Sequence, residues 1–329
     1  MRRLILRLGV WLCGSGMSTS NQPQPAKGVY AALLTPRRPQ AIEADAAQLL
    51  EYLDQVTAAG IDGLVLFGST GEFIHFDVSE RMRVLALAIR RSRVPVFVNV
   101  SHSTLAGAIA LGASAIEAGA AGLLVMPPYF YRYSDEQVAA FYQAFAGELG
   151  GKAALYLYNL PMFTTAIPPE LADELLQAGR YAGIKDSTTE WQNIERLVAL
   201  RRRADFSLLV GNEVLYLKGR SGGADGIVSG VAAALPELIV AMDRAIAASR
   251  PDRAQRLNTF LEEFLVYVNR FPPTAAIKQT AAARGWKVGD FAVPFGDRMR
   301  QEFTAFERWL DQWLPIVLAE CTDERVMRL

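Results

Sequence analysis

Between residues 28 and 235, eight short β-branched apolar runs alternate with longer stretches rich in alanine, leucine and arginine with apolar residues at helical spacing. A strand covered on both faces reads as a continuous apolar run and a helix packed on one side as a stripe, so this alternation marks parallel βα units. The runs at 29–35, 63–67, 95–100, 122–126, 154–158, 181–185, 207–210 and 226–229 read as strands. The stretches 44–59, 79–91, 104–118, 135–148, 169–176, 191–203 and 214–219 read as helices. Pro127 and Pro128 after the fourth strand, and Pro168 and Pro169 before a helix, mark boundaries. Eight such units predict a closed (β/α)8 TIM barrel of the α/β class over residues 28–235, with an open doubly wound sheet as the alternative. Residues 236–329 are expected as a C-terminal helical bundle packed on the barrel, with helices at 236–248, 252–270, 273–284 and 297–318. No low-complexity linker separates the two, so they are expected to fold as one unit, the bundle serving as a cap or an oligomer contact.

The balance of charges narrows the ligand. Lys plus Arg equals Asp plus Glu at 34 each, so no overall basic excess points to nucleic acid, and a small-molecule partner is expected. Cys13 and Cys321 lie near opposite termini, and His75 and His102 are the only histidines, which leaves neither a disulfide framework nor the makings of a histidine-based metal site or Ser-His-Asp triad. No metal and no cofactor are expected. The first sixteen residues carry Arg2 and Arg3 before an apolar run that Arg7 interrupts, too short to span a bilayer and with no clear cleavage site; translation from Met17, a cytoplasmic protein and no membrane partner are the expectation. Residues 1–27 are then an extension outside the fold.

Six of the 34 basic residues are lysines. Lys185 alone ends an apolar run, 181–184, and is followed by a polar turn, whereas Lys27, Lys152, Lys218, Lys278 and Lys287 sit near turns or on helical stretches where a solvated ammonium is the ordinary expectation. Burial disfavours the charged form of an amine, and the neutral amine attacks a carbonyl carbon to form a Schiff base. An equally ordinary role is a strand-end lysine paired with Asp186. In a barrel of this kind the active site gathers at the C-terminal ends of the strands. Strand two ends in Gly68, Ser69, Thr70, Gly71 and Glu72, whose hydroxyls and amides suit a carboxylate, or whose Ser69 or Thr70 caps the next helix. Strand five ends in Tyr158, Asn159, Leu160 and Pro161 and brings a phenol able to shuttle a proton or simply to pack at the rim. Strand seven ends in Gly211, Asn212 and Glu213 and strand eight in Gly226, Ile227, Val228, Ser229 and Gly230, whose small residues leave room for a ligand beside the backbone.

These three strings, 68–72, 158–161 and 183–186, in this order and at these separations, resemble the dihydrodipicolinate synthase and N-acetylneuraminate lyase superfamily over residues 28 to about 310. The resemblance implies a Schiff-base class I aldolase: a barrel with a C-terminal bundle, a homo-oligomer, usually a tetramer, and a pyruvate or other 2-oxo acid substrate with an aldehyde or sugar-acid second partner. It implies Lys185 as the imine-forming residue, Tyr158 as proton donor and acceptor, Ser69 beside them, and Thr70 with Gly68, Gly211 and Val228 forming the pocket. An imine is an electron sink, so neither metal nor cofactor is called for.

The chain departs from the synthases at two places. Their second relay tyrosine, delivered from a neighbouring subunit, matches Phe130, and their arginine for the aldehyde's carboxylate matches Phe163. Phenylalanine carries no proton and clamps no carboxylate, which predicts weak use of the synthase's aldehyde. The sialic-acid branch reads sugar hydroxyls with an acidic pair and a serine where this chain has Asn212, Glu213 and Gly230. The expectation is therefore a smaller or less polar aldehyde half, with Phe67, Phe73, Phe130, Met162 and Phe163 near it, and chemistry that makes or breaks the adjacent C–C bond or dehydrates a 2-keto-3-deoxy sugar acid. The 4-hydroxy-tetrahydrodipicolinate synthase itself, or a 2-oxo-acid-binding homologue without turnover, is the alternative.

Overall fold

The computed structural model of the chain describes residues 25–326, so the expectations for the first 24 residues lie outside the described residues. Strands β1 (Gly28–Ala32), β2 (Gly63–Leu66), β3 (Val96–Asn99), β4 (Gly122–Val125), β5 (Leu155–Asn159), β6 (Gly183–Asp186), β7 (Ser207–Val210) and β8 (Gly226–Ser229) close in sequence order into one parallel barrel. Helices α1 (Ala46–Thr57), α2 (Val78–Arg91), α3 (Leu105–Ala118), α4 (Asp135–Leu149), α5 (Pro169–Gln177), α6 (Trp191–Leu200), α7 (Tyr216–Gly222) and α8 (Pro236–Ala247) follow the strands one by one. Three more, α9 (Pro251–Arg270), α10 (Ala275–Ala283) and α11 (Asp297–Val326), complete the chain.

Local chemistry sets the helix starts. Asp45, Asp77, Thr104 and Ser134 each accept a hydrogen bond from a first-turn N–H, and Pro169, Pro236 and Pro251 open α5, α8 and α9, where proline's missing N–H costs nothing. The expected strand at 29–35 is shorter: β1 ends at Ala32, Leu33 makes one last bond through its N–H to the Val65 carbonyl at 3.0 Å, and Leu34 and Thr35 are buried beyond the strand, so their place in the run reports burial and not pairing. The helix expected from 214 begins at Tyr216: Asn212 accepts from the Val214 N–H and holds 213–215 in a tight turn.

The two ends of the barrel are filled differently. At the N-terminal end Tyr30, Phe97 and Tyr156 pack in a row with their planes tilted, ring centroids 4.9 and 4.8 Å apart. Each leans over a glycine of the next strand: a Cβ on Gly63 would strike Tyr30, one on Gly122 would strike Phe97 and one on Gly183 would strike Tyr156. The register pairs Tyr30 with Gly63, Phe97 with Gly122 and Tyr156 with Gly183, so large and small side chains alternate around the floor and seal it. On the outside, barrel and C-terminal helices share one continuous apolar core. The last helices meet through aromatic rings, Phe264 stacked on Trp313 at 5.7 Å and Tyr267 tilted against Trp309 at 4.4 Å.

Candidate active site

Two residues above the sealed floor, the register sets Tyr158 beside Lys185. Side chains alternate along a strand, so both follow Tyr156 and Gly183 into the barrel interior. Lys185 is 3 % exposed, and its Nζ lies 4.1 Å from the centroid of the Tyr158 ring. Among the described residues no carboxylate reaches it. Asp186 points to the other face, where its carboxylate takes hydrogen bonds from Asn159 Nδ2, Asn193 Nδ2 and the Thr188 N–H. Burial pushes the Asp186 carboxyl above its ordinary pKa in spite of those donors. The alternative of a Lys185–Asp186 pair is thereby set aside.

The phenol of Tyr158 is fully buried, and its oxygen is 3.3 Å from Ser69 Oγ. Ser69 and Thr70 line a cavity of about 660 Å³ at the C-terminal end of the barrel, together with Lys185, Gly211 and Val228. Tyr158 is not among its lining residues; its hydroxyl meets Ser69, which is. Neither Ser69 nor Thr70 caps the following helix; Asp77 does. Gly68 is not among the lining residues, and its carbonyl closes the turn by accepting the Gly71 N–H at 3.1 Å. Gly211 and Gly230 make room: a Cβ would come within 2.9 Å of Lys185 Cε at the first and 2.8 Å of Thr70 Oγ1 at the second.

The loop bearing Ser69 and Thr70 is held from the far end of the chain. Glu72 adopts a left-handed backbone, φ 50°, and accepts from Lys278 Nζ of α10 at 2.6 Å. Lys278 is 2 % exposed and also donates to the Asp290 carbonyl at 2.9 Å. This corrects the expectation of a solvated lysine: one ammonium ties the β2 loop to α10 and to the 288–296 stretch that roofs the cavity. His75, also at the cavity, lies 2.6 Å from an Arg37 nitrogen; burial holds its imidazole below the usual pKa, against the pull of Glu72, with Arg37 and Lys278 adding to the effect.

Arg81 of α2 escaped sequence reasoning altogether. It is 2 % exposed, donates to the Asn99 and Ser101 carbonyls, and sits 5.6 Å from the Phe67 ring and 5.2 Å from the Phe73 ring. Burial lowers its pKa to about 10. Its helix-surface spacing resembled that of any solvated arginine, and the only signal was its place on the apolar stripe with Val84, Leu85 and Ala88. Backbone strain gathers nearby: of the six non-glycine residues with positive φ among those described, Glu72, Phe130 and Thr274 line the cavity, while Phe67, expected near the second substrate, does not border it and is buried against Arg81. Phe130 (φ 82°) is 85 % exposed. No group of three or more His, Cys, Asp or Glu able to hold a metal occurs among the described residues, and no helix there is long and apolar enough to cross a membrane.

A closed βα barrel with a buried lysine beside a cavity at its mouth and C-terminal helices over it is the architecture of a class of barrel lyases. The chain belongs to the Dihydrodipicolinate synthetase family, which it matches over residues 25–313. It is 33 % identical over 277 residues to the 4-hydroxy-tetrahydrodipicolinate synthase of Salinibacter ruber, covering 82 % of this chain and 89 % of that one. It is 29 % identical over 217 residues to a DapA-like lyase of Chloroflexus aurantiacus, covering 64 % and 72 %. Among solved structures, the 4-hydroxy-tetrahydrodipicolinate synthase of Methylacidiphilum fumariolicum SolV superposes with a TM-score of 0.79 at 23 % identity, covering 90 % of this chain and 99 % of that one. YagE from E. coli K12 in complex with pyruvate superposes with a TM-score of 0.79 at 21 % identity, covering 87 % and 98 %. The fold of these proteins is the fold of this chain, and the activity class of the family is a lyase.

Proposed function

We propose that the chain is a pyruvate-type class I aldolase that works through a Schiff base on Lys185. The amine attacks the ketone carbon of a 2-oxo acid, water leaves, and the cationic imine draws electrons from C3 so that a proton or a carbon fragment departs and an enamine forms. Ser69 and Thr70 hold the carboxylate with hydroxyl and amide donors. Gly211 and Val228 bound the space beside the reacting carbon, and Gly68 shapes the turn beneath. Tyr158 exchanges the proton through Ser69, 3.3 Å away. The single observation that carries this reading is a buried amine facing a cavity with no carboxylate to hold its charge, set over the ring of a tyrosine. The family and the pyruvate complex of a structural relative support the choice of donor.

The experiment is deuterium incorporation into the methyl group of pyruvate in heavy water, followed by NMR for wild type and Lys185→Ala. Exchange catalysed by wild type alone supports the reading; equal, background exchange for both contradicts it. A cytoplasmic homo-oligomer, dimer or tetramer, belongs to the same proposal. The exposed Phe130 and Tyr131 rings, packed edge to face at 5.0 Å, support such an association, and light scattering on the purified chain tests it.

A further inference from the structure

We infer that the second substrate of this site is an uncharged aryl aldehyde, joined to or released from C3 of the bound 2-oxo acid; this rests on the Schiff-base reading above. A three-carbon acid leaves most of the roughly 660 Å³ cavity unfilled, and what lies outward from Lys185 is aromatic and apolar. Phe73 and Tyr129 meet edge to face at 5.4 Å on one wall, Phe291 and Phe295 stack at 4.7 Å in the roof, and Met162 and Phe163 form the rim. Rings packed in this way present both faces and edges to a further ring.

Charge and hydrogen bonding disfavour the polar alternatives. No arginine borders the cavity among the described residues, so a second carboxylate finds no guanidinium fork. The two carboxylates at the mouth are already engaged, Glu72 by Lys278 and Glu213 by Ser229 Oγ at 2.8 Å and the Val231 N–H at 3.1 Å. Thr164 Oγ1 donates to the Leu160 carbonyl. Beyond Ser69 and Thr70 the lining then offers His75 and Thr274 as further polar side chains, few partners for a polyhydroxylated chain among so many rings, whereas an aryl ring needs none.

The reaction balances without a further reagent. Pyruvate, bound as its imine, loses a C3 proton to the Tyr158–Ser69 pair. The enamine C3 then bonds to the aldehyde carbon while the aldehyde oxygen takes that proton back. Water releases the product, a 4-hydroxy-4-aryl-2-oxobutanoate, and frees Lys185; cleavage is the reverse.

The test incubates the full chain with pyruvate and, in parallel, benzaldehyde, glyceraldehyde or aspartate semialdehyde. Products are followed by mass, and a borohydride trap of the pyruvate imine runs alongside. The expected result is 4-hydroxy-4-phenyl-2-oxobutanoate formed with kcat/KM roughly tenfold or more above either polar aldehyde. A trapped imine with faster turnover of glyceraldehyde or aspartate semialdehyde overturns the aryl inference and leaves the Schiff-base reading standing. Absence of the trapped imine overturns both. In Phe163→Arg, whose site is half exposed, the ratio of benzaldehyde to aspartate semialdehyde turnover should fall about tenfold or more. An unchanged ratio would overturn the assignment of that ring to the acceptor wall.

Discussion

The two ends of the barrel use the same alternation of large and small side chains to opposite effect. At the floor, Tyr30, Phe97 and Tyr156 fill the space over Gly63, Gly122 and Gly183. At the mouth, the small residues Gly211 and Gly230 clear space around Lys185 and Thr70, and strained backbone at Phe67 and Glu72 accompanies it. Both ends are built on the same strands, two residues apart. Which residue is large decides whether a layer seals or reacts: Tyr156 opposite Gly183 plugs the barrel, while Tyr158 opposite Lys185 leaves an amine facing a cavity.

That contrast breaks most sharply at Lys185. Lys185→Ala removes the amine and should abolish pyruvate methyl exchange while the thermal midpoint changes little. Tyr158→Phe keeps the ring and the packing but deletes the hydroxyl, and should slow exchange by roughly 10²–10⁴-fold with the pyruvate imine still trappable. Lys278→Met should act on both properties. It strands Glu72 near a buried position, lowers unfolding stability by about 3–5 kcal/mol in denaturant titration, and raises the KM for pyruvate through the loosened Ser69–Thr70 loop. At the floor, Gly63→Ala puts a methyl against the Tyr30 ring and should cost about 1–3 kcal/mol of stability while leaving the KM for pyruvate as it was. A KM shift there as large as that of Lys278→Met would erase the distinction between the two ends.

The smallest effect is the most diagnostic of burial. The Asp186 carboxyl is raised in the folded state, so the native chain holds its proton at higher pH than the unfolded chain. Its contribution to stability is therefore most favourable at or below the ordinary aspartate pKa and declines as pH rises above it. Relative to Asp186→Asn, wild type should lose stability over that rise; denaturation curves at stepped pH measure the difference.

The strand and helix rhythm made the barrel legible because parallel strands covered on both faces cannot avoid being apolar, and Lys185 stood out because it interrupts such a run. Tyr158 and Ser69 were found for the same reason, as polar residues at strand ends, and the structure brings all three together. Lys278 and Arg81 were not found. Each lies on a helix, where a basic residue usually faces water, and each is buried by a partner distant in sequence: Glu72 lies 206 residues from Lys278, and the carbonyls that hold Arg81 belong to the end of β3. Periodicity reports which face is covered but not what covers it. Strand ends drifted for a related cause, since Leu33 and Leu34 are as buried as the paired residues before them.

The central claim is that Lys185 carries a covalent 2-oxo acid. Intact-protein mass spectrometry after treatment with pyruvate and borohydride tests it directly. Wild type should gain one reduced pyruvate adduct and Lys185→Ala none; an unmodified wild type, or an adduct that survives the substitution, would contradict the account.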